Sequence, residues 1–320
     1  MKILITGATG LVGGEIVRLC KEQGIAVNYL TTRKSKIVAE SNFQGFYWNP
    51  NVNEIDLDCF EGVSAIINLA GASISKRWTP KYKKIVLSSR INTLRTLRFG
   101  LEKIDSSKIV SFASASAIGI YPTSMTSFYE EDEKGVDHSF LGEVVEAWEK
   151  EVDAFQNFDF SVAKIRIGLV MSANGGALPE MAKPIKYFAG AAFGSGMQWQ
   201  SWIHITDLAR LFLFTVKNEL NGVYNGVGPN PVNNAKLLKE IAKVLQRPLI
   251  LPNVPQFAMK ALLGEMSYIL FASQRVSSKK IEEEGFSFYY TNICKAIEGI
   301  YSKNSENKHE FDVREKKEYV

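Results

Sequence analysis

The residues with most to say about chemistry stand at the start of the chain. Thr6-Gly7-Ala8-Thr9-Gly10-Leu11-Val12-Gly13 spaces its glycines as G-x-x-G-x-x-G. A short apolar run, Lys2–Thr6, precedes it. Residues with helical spacing, Gly14–Gln23, follow, and Gly24 stands where a C-terminal glycine cap is expected. Gly7 allows a tight turn, Gly10 lets backbone approach a pyrophosphate, and Gly13 lets helix pack close to strand. Free N–H groups and the dipole at the helix start favour an anion. A glycine triplet alone is a weak signal, and the strand–turn–helix context gives it meaning. The pattern predicts a dinucleotide phosphate turn built from Gly7, Thr9, Gly10, Leu11, Val12 and Gly13.

The next strand, Ala26–Thr31, carries the second signal. A site for NAD needs a carboxylate about 20 residues after the turn to hold the ribose hydroxyls. No Asp or Glu lies between Glu22 and Glu40, and the strand runs instead into Thr32, Arg33 and Lys34. A guanidinium suits a 2′-phosphate, with two parallel hydrogen bonds. The expected cofactor is therefore NADP.

These residues need a scaffold, and the rest of the chain supplies its outline. Buried-strand candidates recur at Ala65–Leu69, Ile109–Ala113, Val162–Ile167 and Val223–Val227, with helical spacing over Pro80–Ile104 and Phe140–Phe155. Such alternation predicts an α/β fold, a Rossmann-type doubly wound parallel sheet. Asp207 is the expected N-cap of the helix DLARLFLFTVKN. After Pro229 the pattern turns helical, with Asn233–Leu245, Phe257–Phe271 and Val276–Glu284 read as helices. The expected division is a Rossmann domain of residues 1–170 and 204–228, and a smaller, mostly helical domain of residues 171–203 and 229–300. Residues 301–320 read as a charged tail.

Composition sets the outer bounds. The chain has 320 residues, 46% apolar and 22% charged, enough for a sizeable core. A net charge of +4 gives no case for nucleic acid. The cluster Lys81, Lys83 and Lys84 reads either as a solvated helix face or as a preference for an anionic ligand. The three cysteines, Cys20, Cys59 and Cys294, are scattered, so neither a disulfide framework nor a metal site is expected. Reduced thiols suit the cytoplasm. The apolar run after Lys2 breaks at Thr6-Gly7, so it is no secretory leader, and no uninterrupted apolar stretch of about 18 residues predicts a membrane span.

The turn TGATGLVG resembles that of the extended short-chain dehydrogenase/reductases, the relatives of the NDP-sugar epimerases and dehydratases. Asn68-Leu69-Ala70-Gly71 and Trp202-Ile203-His204-Ile205-Thr206-Asp207 resemble later motifs of that superfamily. NLAGASISKRW, SSRINTLRTL, SASAIG, FLGEVVEAWE, RIGLVMSANGGAL, FGSGMQWQSWIHITDL and NGVGPNPVNN resemble a narrower, atypical epimerase-like branch. That branch is sometimes labelled nucleoside-diphosphate-sugar epimerase or cell-division-inhibitor-like, and carries a C-terminal domain of unknown function. The resemblance runs from Met1 to about Ile300. It implies cofactor contacts at the turn, at Thr32 and Arg33, along Leu69, Ala70 and Gly71, and at Arg90 and Val170. For Arg90, read from its residue type alone, the plain alternative is a surface salt bridge. Asn92 falls where extended members carry a helix Asn.

The resemblance breaks at the catalyst. The superfamily uses a Ser and a Tyr-x-x-x-Lys pair on one helical face, where the Lys cation lowers the Tyr pKa for acid/base work. Glu149 sets the register here, and Leu141 then stands at the Tyr position and Val145 at the Lys position. The Ser is read as Ser116, with Ser114 the neighbouring option, and Tyr121 and Glu143 are candidate replacements for the missing pair. For Tyr121 the plain alternative is a packed aromatic, for Glu143 a solvent-facing residue. Ser73–Trp78 and Gln198–His204 are expected to wall a substrate pocket, and Asn174-Gly175-Gly176 to pass near the nicotinamide ribose. His204 reads as structural. Two functions follow. One is an NADP(H)-dependent oxidoreductase or epimerase-like enzyme acting on an unidentified small molecule. The other is a non-catalytic NADP(H)-binding redox sensor or interaction protein. The sequence leaves the oligomeric state open.

Overall fold

The structure, a computed structural model, describes residues 1–302. The charged tail expected from residue 301 lies, beyond Ser302, outside the described residues.

The chain opens with β1 (Lys2–Thr6), α1 (Leu11–Glu22) and β2 (Ala26–Thr31), and β1 and β2 pair in parallel with Ile3 opposite Val27. Then come β3 (Ala39–Glu40), β4 (Phe43–Asn49), β5 (Glu54–Ile55), β6 (Ala65–Asn68), α2 (Pro80–Leu101), β7 (Ser111–Ala117), β8 (Phe128–Tyr129), α3 (Phe140–Asp153) and β9 (Ser161–Ile167). β10 (Leu169–Met171), α4 (Ala177–Lys186), β11 (Trp199–Gln200), β12 (Trp202–His204), α5 (Ile205–Lys217) and β13 (Gly222–Gly226) follow. The nine-stranded sheet has the order β13-β9-β7-β6-β1-β2-β4-β3, with β5 on β4. Its neighbours run parallel, except β3 and β5, which are antiparallel to β4. Strands buried on both faces read as continuous apolar runs, and Ile3-Leu4-Ile5 and Ala65-Ile66-Ile67 are wholly buried. α1 packs on α5 and α2 on α3, giving helical layers against the sheet. Chain order reverses between β1 and β6, which places the ligand crevice of such a sheet beside the carboxyl ends of these two strands.

A second apolar cluster gathers Met171, Leu178, Ile185, Trp202, Leu237 and Ile241 with Ile293 and Ile297. It is built on α4, on α6 (Asn234–Val244), on helical residues 293–302, and on the short pairs β10–β12 and β11 with β14 (Val232–Asn233). Ile281 and Phe286, from the C-terminal part, pack instead into the first cluster.

Several expected elements differ. The helix read over Phe257–Phe271 is broken. α7 (Gln256–Leu263) ends at Gly264, whose φ of 63° allows the reversal, and a 3-10 turn leads to α8 (Tyr268–Phe271). No residue of α7 is buried, and Phe257 and Leu262 are 77% and 67% exposed. Tyr268 Oη donates to Asp137 Oδ2 at 2.6 Å, and Glu265 pairs with Lys83, fastening this segment to the main body. Arg275–Val276 forms β15 on β8, so only α9 (Lys279–Glu283) remains of the last expected helix. Asp207 is not the cap of α5. His204 Nδ1 accepts from the Thr206 N–H, while the buried Asp207 carboxylate accepts from the N–H groups of Tyr289 and Tyr290 and pairs with Arg210. Strand β4 and helix α4 were not expected, because FQGFYWN has no aliphatic run and ALPEMAKPIK holds two prolines. Among the described residues, no helix is long and apolar enough to cross a membrane.

Candidate functional site

The phosphate turn takes the expected shape. Gly7 adopts φ 72°, and a Cβ there would lie 3.1 Å from the Leu69 carbonyl. A Cβ on Gly13 would lie 2.2 Å from Gly7 O, so no side chain fits where helix meets strand. A Cβ on Gly10 meets only Gly7 O, at 3.1 Å, and otherwise projects into open space. Gly10 caps α1 without a side-chain hydrogen bond, and the first turn holds no acid to compete with an anion. Thr9 and Gly10 are exposed, while Leu11 and Val12 are half-buried.

A polar ladder across the strand ends fixes the loops around the turn. Thr6 Oγ1 accepts from the backbone N–H groups of Leu69 and Ala70 and donates to Asn68 Oδ1 at 2.7 Å. Asn68 Nδ2 donates to Ser114 Oγ, which donates to Ala115 O. Ser114 is thereby a link in the ladder. Thr32 and Arg33 are exposed at the end of β2, and the Arg33 backbone N–H is turned in to Thr31 Oγ1.

A cavity of about 180 Å³ opens beyond the ends of β7 and β9. Its walls come from Ile74, from Ala117–Gly119, from Leu141, Val144, Val145 and Trp148 of α3, from Ile167–Leu169, from Trp199–Ser201, and from Ile269, Ala272 and Gln274. The two segments expected to wall a pocket, Ser73–Trp78 and Gln198–His204, both contribute. Leu141 and Val145 both line the cavity, giving its α3 wall apolar side chains at these two places.

Arg90 also lines this cavity. Its Nη1 donates to Ala72 O and Val86 O, and its guanidinium lies 4.9 Å from the Trp148 ring. Its Nε is buried without a partner, and no carboxylate pairs with it among the described residues. Burial pushes its pKa down to about 10. The surface salt bridge allowed by the sequence is thus not what Arg90 forms. Gly71 packs against the same side chain, with a built Cβ 3.4 Å from Arg90 Cζ.

The remaining candidates fall elsewhere. Ser116 and Tyr121 are buried and do not line the cavity. Ser116 Oγ donates to Glu149 Oε1, and Glu149 holds Arg166 through both carboxylate oxygens. Tyr121 Oη donates to Asn225 Oδ1 and accepts from Arg166, with its ring stacked on Tyr129. Burial pushes this phenol up to about 12, against the opposing pull of Arg166. Ser116 and Tyr121 thus stand within an internal ion-pair network and are not presented to the cavity. Glu143 is exposed on α3, outside the cavity. Asn92 faces a surface depression beside Asn51, Asn53 and Arg95, away from the turn. Val170 sits in β10 opposite Ile203, just outside the cavity that Gly168 and Leu169 line. Asn174-Gly175-Gly176 lies against Leu11, at the phosphate end, with built Cβ atoms of both glycines 3.4 Å from its side chain. Sequence reading missed the Glu149–Arg166 pair as a structural centre. An Arg inside the buried strand SVAKIRI was the available signal, since a buried charge demands a partner.

The sheet order, the glycine turn at the β1 end and the crevice beside it define a Rossmann-type α/β protein. Within that class, the chain belongs to the NAD dependent epimerase/dehydratase family, which matches residues 3–226; a domain of unknown function (DUF1731) matches residues 254–300. The chain is 35% identical to an epimerase family protein of Staphylococcus haemolyticus over 93% of this chain and 98% of the relative. It is 37% identical to the chloroplastic SDR39U1 homolog of Arabidopsis thaliana, an epimerase family protein, over 94% of this chain and 86% of the relative. Human epimerase family protein SDR39U1, solved with NADPH, superposes with a TM-score of 0.81 at 25% identity, covering 94% of this chain and 99% of that one. UDP-glucuronic acid 4-epimerase from Bacillus cereus, solved with UDP-glucuronic acid and NAD, shares the fold at a TM-score of 0.73 and 16% identity, covering 94% and 98%.

Proposed function

We propose that the protein binds NADP(H) across the glycine turn and acts as an oxidoreductase or epimerase-like enzyme on a small molecule held in the cavity. One observation carries the reading: the turn lies at the crevice between β1 and β6, and the neighbouring strand β2 ends in an exposed Arg33, in a stretch with no Asp or Glu between Glu22 and Glu40. Gly7 and Gly13 hold the turn tight against the Leu69 backbone and α1, and Gly10 leaves open the space a side chain would occupy, which suits a pyrophosphate against the free N–H groups of Leu11, Val12 and Gly13. Thr32 and Arg33 would hold a 2′-phosphate, and the Leu69-Ala70-Gly71 backbone and Val170 would flank the rest of the cofactor. The human relative solved with NADPH supports the choice of cofactor. When bound, the cofactor supplies hydride chemistry. The chain's own part is to orient the ligand and exclude water, since Leu141 and Val145 hold no transferable proton. The unpaired thiols of Cys20 and Cys59 suit the cytoplasm.

A second reading, a redox sensor that binds NADP(H) without turnover, is favoured by the same two apolar side chains in the cavity wall. Titration of the protein with NADPH and NADH tests the cofactor assignment. NADPH should bind about tenfold or more tightly, because one charge-assisted contact contributes about 1.5–3 kcal/mol. Arg33→Asp should erase the difference. Equal dissociation constants in the unmodified protein would sink the assignment. Turnover of any carbonyl or enone compound with NADPH would decide for the enzyme.

A further inference from the structure

Trp148 and Glu149 are consecutive on α3, both are buried, and each holds an arginine in its own way. Glu149 takes Arg166 through both carboxylate oxygens, at 2.9 and 3.0 Å, so that charge is compensated inside the protein. Trp148 takes Arg90 with its ring, whose centre lies 4.9 Å from the guanidinium carbon. Arg90 Nη1 also donates to Val86 O at 2.9 Å and to Ala72 O at 3.2 Å, and a carbonyl leaves the positive charge uncompensated. Burial works against the Arg166 charge, yet Glu149 holds its pKa above the ordinary arginine value, whereas burial pushes Arg90 down to about 10. Among the described residues that line the cavity, Arg90 alone is charged.

Trp148 is a costly choice for a plain filler. Its Nε1–H is buried without an acceptor, and a buried donor left unpaired is destabilising. A Phe would fill much of the same space without that loss. What Trp adds is the aromatic face that best attracts a cation, and a planar guanidinium stacks on such a face.

The place of the pair gives it a purpose. A built Cβ on Gly7 of the phosphate turn lies 3.1 Å from Leu69 and 3.2 Å from Ala70, and one on Gly71 lies 3.4 Å from Arg90. One short loop thus separates the uncompensated charge from the turn. We propose that Trp148 is a positioning residue for the cofactor: its ring holds Arg90 where an acid would neutralise it, and so keeps the guanidinium available to an anionic group of NADP(H). The proposal rests on the NADP(H) reading.

NADPH titrations of the full chain, of Arg90→Met, of Trp148→Leu and of the double variant form a cycle that tests this. Arg90→Met should weaken NADPH binding about tenfold or more. Trp148→Leu should reproduce most of that loss, and the double variant should bind no more weakly than Arg90→Met alone. Trp148→Met, a second way to remove the ring, should behave as Trp148→Leu does. Trp148→Phe, which keeps a ring and discards the orphaned N–H, should stay within about threefold of the parent. Three results would overturn the proposal. One is parent-like affinity in Trp148→Leu or Trp148→Met. Another is losses that simply add in the double variant, which would make the tryptophan a general prop of α3. The third is Trp148→Phe binding as weakly as Arg90→Met, which would give the role to the N–H. If the parent binds NADPH and Arg90→Met binds it equally well, this proposal falls alone. If the parent does not bind NADPH, the cofactor reading falls and takes this proposal with it.

Discussion

Ser116 Oγ lies 2.5 Å from Glu149 Oε1, joining the end of β7 to the middle of α3. The same carboxylate grips Arg166 of β9 at 2.9 and 3.0 Å, and Arg166 reaches on to Tyr121 at 3.0 Å. A hydroxyl committed to this pair is a brace between sheet and helix.

Ser116→Ala should therefore cost stability and spare function. A hydrogen bond to a charged group contributes about 1.5–3 kcal/mol, which a denaturant midpoint resolves. Glu149→Gln, which strands a buried guanidinium, should cost more, about 3–5 kcal/mol. NADPH affinity of Ser116→Ala should match the parent. A rate loss of about 10²-fold or more at unchanged stability would return Ser116 to the chemistry.

Strong acid should weaken this pair. Burial alone would raise the Glu149 pKa, but the hydrogen bonds and charge of Arg166, with Ser116 and Lys164 assisting, hold it below the ordinary value. A depressed folded pKa gives stability that is present above the unfolded value, about 4.3, and lost as pH falls through the folded one. Unfolding free energy should fall below about pH 4, and Glu149→Gln should flatten that limb. An acid limb of the same slope in the variant would refute this.

At the alkaline end the sign reverses. The Tyr121 phenol is raised from 10 to about 12, so its contribution is complete below pH 10 and lost as pH climbs through 12. Tyr121→Phe should be less stable at neutral pH by about 1–3 kcal/mol, since it deprives Arg166 and Asn225 of a partner. Its stability should also fall less steeply above pH 10. Any turnover should show no rise with an ionising phenol between pH 7 and 10.

The two glycines of the turn should separate binding from folding. Gly10→Val directs its side chain into open space and should abolish NADPH binding with the melting temperature nearly kept. Gly13→Ala drives a Cβ to 2.2 Å from backbone, so strand and helix must part. It should destabilise by about 1–3 kcal/mol or more. Unchanged NADPH affinity in Gly10→Val would mean that the turn is not the phosphate site.

The buried strands were legible because sequences such as KILIT and AIIN have only one place to go. The phosphate turn was legible because its glycines act locally. β4 was not, since Gly45 is there to admit the Tyr29 ring, whose Cζ would lie 2.5 Å from a Cβ, a reason located on another strand. The cap of α5 was misread because Asp207 answers to Tyr289 and Tyr290, distant in the chain. Ser116 and Tyr121 have the right chemistry by type. Only the fold reveals that Glu149, Arg166 and Asn225 already claim them.

The broken helix after residue 255 has a kinetic consequence. α7 buries no side chain, so its loosening exposes little new apolar surface, and it can open well below the free energy of global unfolding. Ile269 and Ala272, a few residues on, close one side of the cavity, and the Tyr268–Asp137 bond with the Glu265–Lys83 pair acts as the latch. Were a ligand to enter the cavity on this side, release of this flap, a microsecond-to-millisecond event, would time its traffic. Observed association rates would level off with rising ligand concentration, and Tyr268→Phe would raise the plateau.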